Sequence, residues 1–221
     1  MDHNFMADAA RNGLWQQESA WFYGWMLSDG NASKNMVRLS VQRRDRDVVE
    51  KIQTLLKSDH KISDYDATSG YNLGAKFPQT RIQLTSSVLV ADLAVLGIVP
   101  RKTQQARFYP DLLLPYNKHV LCHAIRGLFE GDGTLFWCRT NKCWIWGLYG
   151  NESVIRTSQE IIEGIANCPG HIRKMSGSTR VLRHARRSAV RSICESLYTS
   201  SLKQFTLDRK ARIAHDIING F

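Results

Sequence analysis

Long apolar runs are missing from this 221-residue chain, proline is scarce, and its cysteines form no paired set. A bilayer-spanning helix needs roughly 20 consecutive apolar residues, and no stretch supplies them, so no membrane partner is expected. The opening MDHNFMADAARNG lacks the charged-then-apolar order of an export signal. Five cysteines, at 122, 138, 143, 168 and 194, are an odd number, which points to reduced thiols in an intracellular compartment. Zinc would need a second short-spaced ligand pair beside His119 and His123. Cys138 and Cys143 fall in strand-like sequence instead, so the two histidines read as helix-surface or DNA-facing residues. Acidic residues are the scarcer charge, 20 against 30 basic ones, for a net +10. Residues 1–110 carry +3 and the remainder +7, so the excess is not confined to a tail. A polyanion is the natural partner of such a chain.

What the chain does have is repetition, which takes precedence over local reading. FYGWMLSDG (22–30) and IRGLFEGDG (125–133) share a Gly, bulky apolar residues, a small residue and a terminal Asp-Gly. Asp29 and Asp132 lie 103 positions apart. Each copy is followed by two β-rich runs around a polar turn, Lys34-Asn35 in one and Thr140–Lys142 in the other. Val37, Leu39 and Val41 alternate with Arg38, Ser40 and Gln42, the period-two mark of a half-buried strand. Next come helical spacings (Val48, Val49, Ile52, Leu55, Leu56; then Val154, Ile161, Ile162, Ile165). Short strands follow (KISDY and TRIQL; HIRKM and TRVLRHA), and a last helix closes each half. An Arg-Lys pair stands after each, at 101–102 and 209–210. The expected order is helix–strand–strand–helix–strand–strand–helix, twice.

Similar halves in one chain tend to pack about a pseudo-twofold axis. The motif helices are the expected contact, because Gly24 with Ser28 and Gly127 with Gly131 leave grooves where backbones can meet. Crossing there brings Asp29 and Asp132 together at helix C-termini, an arrangement opposed by charge repulsion and by both helix dipoles. A hard divalent cation with oxygen ligands, Mg²⁺ above all, removes both penalties and suits phosphodiester hydrolysis. Lys102 and Lys210 would polarise water or neutralise phosphate. One face of each sheet is left open to enter a DNA groove. Arg38, Ser40, Gln42, Arg81 and Gln83 are assigned to that face. Asn31, Ser33 and Asn35 on the first hairpin, and Arg139, Arg180 and Arg183 in the second half, complete the candidate DNA contacts. The six tryptophans are assigned to the core.

FYGWMLSDG and IRGLFEGDG resemble the two motif copies of the single-chain LAGLIDADG homing endonucleases, and LGIVPRKT and RGLFEGDGTL extend the likeness across roughly residues 18–215. The resemblance implies an α+β fold of two pseudo-symmetric αββαββα repeats with saddle-shaped antiparallel sheets. The repeats would span 1–108 and 109–221, with 103–117 as connection. It implies a monomer that cuts both strands of a long double-stranded DNA site and leaves short 3′ overhangs. Mg²⁺ would be the cofactor, with Mn²⁺ or Ca²⁺ able to replace it in binding. By position the metal-binding catalytic acids are Asp29 and Asp132, the carbonyls of Ser28 and Gly131 are further ligands, and Lys102 and Lys210 are the basic residues. Leu27 stands where Glu130 is retained in the second copy. Two alternatives share the scaffold: an intron RNA maturase and a catalytically silent DNA-binding protein.

Overall fold

The computed structural model describes residues 5–68, 75–99, 106–113, 118–199 and 203–220. Among them, helix α1 (Ala7–Asn12) precedes the first repeat: α2 (Gln17–Ser28), β1 (Gly30–Ser33), β2 (Met36–Gln42), α3 (Arg46–Leu55), β3 (Ile62–Thr68), β4 (Lys76–Thr85), α4 (Ser87–Val95). The second repeat runs α5 (Lys118–Asp132), β5 (Gly133–Cys138), β6 (Cys143–Asn151), α6 (Glu152–Ala166), β7 (His171–Lys174), β8 (Thr179–His184), α7 (Arg187–Tyr198), and α8 (Asp208–Gly220) follows. Each repeat holds one antiparallel four-stranded sheet, ordered β1-β2-β4-β3 and β5-β6-β8-β7. The α+β fold of two αββαββα units is therefore present. No helix among the described residues is long and apolar enough to cross a membrane.

The repetition extends to backbone conformation. Lys34 and Lys142 both take positive φ in the first turn of their half, and Lys57 and Asn167 do so just after α3 and α6. A left-handed residue at these places ends a hairpin or a helix without glycine. Helix α2 carries no apolar stripe because Ser19–Leu27 are all buried; a helix enclosed on every side needs no polar face. It packs on α5 at glycine. A Cβ on Gly24 would fall on the backbone of Ala124 and Leu128, and one on Gly127 on the carbonyl of Trp21. The two helices thus meet backbone to backbone, and the core surrounds them: Trp21, Trp25 and Phe129 are at most 1% exposed. Phe129 stacks on Trp146 at 4.9 Å. The assignment of all six tryptophans to the core needs one correction, since Trp137 is 43% exposed at the outer end of its strand.

Two helices stood outside the expected repeat. Helix α1 is tied to α4 by Arg11 and Asp92 at 2.7 Å, with Asp92 fully buried. Helix α8 reaches back to the first repeat: Arg209 grips Asp45 with two bonds of 2.9 Å, and Lys51 meets Asp208 at 2.6 Å. Lys51 also donates to the Thr206 carbonyl at 2.6 Å.

Candidate nucleic-acid interface and active site

Helices α2 and α5 end at the seam between the repeats, and that end positions the two acids. Asp29 caps α2 with its backbone N–H on Trp25 O, and Asp132 is the last residue of α5. A Cβ on Gly131 would lie against the Ser28 side chain and 3.1 Å from Asp29 Oδ2. The Asp29 carboxylate therefore abuts the residue preceding Asp132. Two clefts open here. The larger, about 490 Å³, is lined by Trp25, Asp29, Glu130 and Gly131, by Ser40 and Gln42 of β2, and by Arg209 and Lys210. The smaller, about 240 Å³, is lined by Leu128, Asp132, Leu27 and Ser28 with Tyr149 and Asn151 of β6. The motif register maps Trp25, Asp29, Glu130 and Gly131 onto Leu128, Asp132, Leu27 and Ser28. Each acid thus faces a cleft whose opposite wall belongs to the other motif helix.

Lys210 lies 3% exposed, and its Nζ donates to the carbonyls of Phe129, Glu130 and Gly133 at 2.6, 2.7 and 2.6 Å. Three ammonium protons meet three acceptors at the C-terminus of α5, where the helix dipole is negative. Burial, then the neighbouring Arg209 charge, pulls its pKa down to about 8. The three bonds hold the turn that presents Asp132, and the same side chain lines the cleft of Asp29. Lys102 lies outside the described residues.

A buried polar group not singled out by the sequence ties α5 to the end of α7 and to the segment before α8. Arg126 is fully buried in α5. Its Nη1 lies against His123 Nδ1 and donates to Leu197 O at 3.1 Å, and Nη2 donates to Phe205 O at 3.1 Å. His123 is 1% exposed, which corrects its assignment to the helix surface. Burial, then the Arg126 charge, lowers its pKa to about 3, so the ring is neutral and accepts at Nδ1. Glu130 accepts from Trp21 Nε1 at 2.7 Å, and burial raises its pKa. The signal for Arg126 was present in the repeat. It occupies the motif position of Tyr23, whose hydroxyl donates to Leu96 O at 3.0 Å. Both motif helices send a polar tip to backbone near the end of their half.

The open face of the first sheet follows the alternation of β2. Val37, Leu39 and Val41 are buried, while Arg38, Ser40 and Gln42 face away. Register places Asn31, Arg38 and Gln83 in one row and Ser40, Arg81 and Ser63 in the next. Arg38 Nη2 donates to Gln83 at 3.2 Å, and the Arg81 guanidinium lies 4.8 Å over the Tyr65 ring. Ser33 shares this face, and Asn35 is exposed in the hairpin turn. In the second sheet Arg183 shares the open face, paired with Gly147, and Arg139 is exposed in the turn after β5. Arg180 does not join them. It has the parity of buried Leu182, and it donates to Glu152 of α6 at 3.1 Å.

Among the described residues no group of three His, Cys, Asp or Glu side chains could hold a metal ion. A cation here would rest on Asp29 and Asp132, with the Ser28 and Gly131 carbonyls and water. The hard, oxygen-only donor set suits Mg²⁺ or Ca²⁺, and the contact between Asp29 and Gly131 fits a site spanning the two helix ends.

A scan against protein-family models and a search of curated proteins found no match. Solved structures do match. Full-length DUF199/WhiA from Thermatoga maritima is 10% identical, with a TM-score of 0.57 over 98% of this chain and 66% of that one. The chain thus spans slightly under two thirds of that protein. The homing endonuclease I-WcaI bound to its DNA recognition sequence is 14% identical, TM-score 0.61, over 94% and 91% of the two chains. The LAGLIDADG homing endonuclease I-SmaMI bound to cleaved DNA is 12% identical, TM-score 0.55, over 90% and 87%. The fold is the LAGLIDADG fold. At these identities the likeness establishes architecture alone.

Proposed function

We propose that the chain is a site-specific DNA endonuclease that binds a long duplex across its two sheets and hydrolyses both strands beside Asp29 and Asp132. The observation that carries this reading is the placement of the Asp29 carboxylate against Gly131. There the ends of both motif helices meet, in a cleft bordered by the polar open face of the first sheet. A divalent cation bound by the two acids would supply Lewis-acid stabilisation of charge on the phosphodiester. The protein's own contribution is orientation. Lys210 holds the end of α5, the Gly24–Gly127 contact sets the spacing of the helix ends, and the sheets align the duplex. Arg44, which lines the larger cleft, adds positive charge near the phosphates.

A second reading, a LAGLIDADG protein that binds DNA without cutting it, is favoured by one feature. The ammonium of Lys210 is fully engaged with backbone carbonyls and so is withheld from substrate. Incubation with Mg²⁺ and a randomised duplex library, followed by sequencing of cut ends, separates the two. A single site with short 3′ overhangs supports the nuclease; duplex binding without cutting supports the silent scaffold. Binding to structured intron RNA alone sinks both in favour of a maturase.

A further inference from the structure

The two open faces are built from different chemistry. On the first sheet the strands β2 and β4 present Arg38, Ser40 and Gln42 beside Gln79, Arg81 and Gln83. The equivalent strands of the second sheet present Cys143, Ile145, Gly147 and Tyr149 beside Val181 and Arg183. The orientation is fixed by three observations. Trp146 stacks on Phe129 of the core, so Ile145 and Gly147 point the other way. A Cβ on Gly147 would meet Thr134 and Val181 at 3.1 and 3.7 Å, which places those side chains on the same face. Ile145 and Val181 are buried yet stand outside the main core cluster. Above Ile145, its cross-strand partner Phe136 is 40% exposed and also lines the cleft of Asp29. Cys138 and Cys143, paired at the end of the same hairpin, act as small apolar groups.

This apolar floor is continuous with the Asp29 cleft through Phe136. Cations border it, with Arg139 and Lys142 at the hairpin tip, Arg183 on β8 and Arg173 on the outer strand β7. Cations around an apolar centre suit a duplex, whose phosphates flank its groove. In the major groove the apolar feature of a base edge is the thymine 5-methyl, whereas Arg, Gln, Ser and Asn match base donors and acceptors. Resting on the nucleic-acid reading above, we infer that the second sheet selects its half-site by thymine methyl contact with the exposed Phe136 ring, while the first sheet selects by hydrogen bonding.

Methyl deletion tests this. Two randomised duplex libraries, one containing thymine and one containing deoxyuridine in its place, are selected for binding in Ca²⁺. The Arg38→Ala variant identifies which half-site lies under the first sheet. With deoxyuridine, the preferences under the second sheet should weaken by about fourfold per methyl contacted, and those under the first should persist. Phe136→Ser, a truncation of an exposed side chain, should cause the same one-sided loss in the thymine library. Preserved first-sheet selectivity reports that this variant is folded. Second-sheet preferences that survive deoxyuridine, or an equal loss in both halves, overturn the inference while leaving DNA recognition standing. No preference in either library overturns DNA recognition itself.

Discussion

Lys210 sits at the end of α5 for an electrostatic reason. A helix C-terminus gathers negative charge, and the buried ammonium offsets it while satisfying three carbonyls, with Glu130 and Asp29 nearby. Lys210→Met leaves those acceptors unpaired inside the protein, and the expected loss is about 3 kcal/mol of stability, read from the urea midpoint. His123 gives a second test. Its pKa falls from 6.5 to about 3 on folding, so the unfolded chain binds more protons between those values. Stability should therefore fall as pH drops from 6.5 towards 3. The raised Glu130 carboxyl acts in the opposite sense, so the difference between wild type and His123→Asn isolates the histidine. A flat difference across that window would contradict a neutral His123 beside Arg126. Sequence could single out Asp29 and Asp132 because repetition marks them. It could not show Lys210 buried against three backbone carbonyls, because those contacts join residues 77 to 81 positions apart.

At the scale of elements, the contact of α2 with α5 leaves no room for a methyl group. Gly24→Ala and Gly127→Ala each drive a Cβ into the partner's backbone, which cannot move aside as a side chain can. Each should cost about 3 kcal/mol or more, seen as a lowered thermal midpoint; an unchanged midpoint would show the helices to be farther apart than this geometry requires. These glycines, the β2 alternation and the two hairpin turns were readable because period and spacing encode them directly. Helices α1 and α8 escaped the repeat because, among the described residues, neither has a counterpart in the other half. Arg180 was misplaced for a related reason. The short β8 strand TRVLRH has buried residues at neighbouring positions Val181 and Leu182, so alternation alone could not say which face is open.

Across the whole molecule, cations cover a long surface while the core holds the halves together. Helix α8 adds a charged latch, Arg209 on Asp45 and Lys51 on Asp208. Exposed pairs of this kind contribute little singly, but Asp45 is 7% exposed. Asp45→Ala should weaken docking of α8 and increase amide exchange there, detectable by hydrogen exchange; unchanged exchange would reduce the latch to a surface contact. Binding of a long duplex neutralises many phosphates, so affinity should fall steeply and linearly on a log–log salt plot, and a shallow slope would argue against an extended contact surface. The most direct measurement compares wild type, Asp29→Asn and Asp132→Asn on a duplex labelled on both strands and carrying the recovered site. The account predicts that wild type with Mg²⁺ cuts both strands and that either variant loses double-strand cutting yet binds the duplex in Ca²⁺ with near-wild-type affinity. Double-strand cutting that survives both substitutions would contradict it.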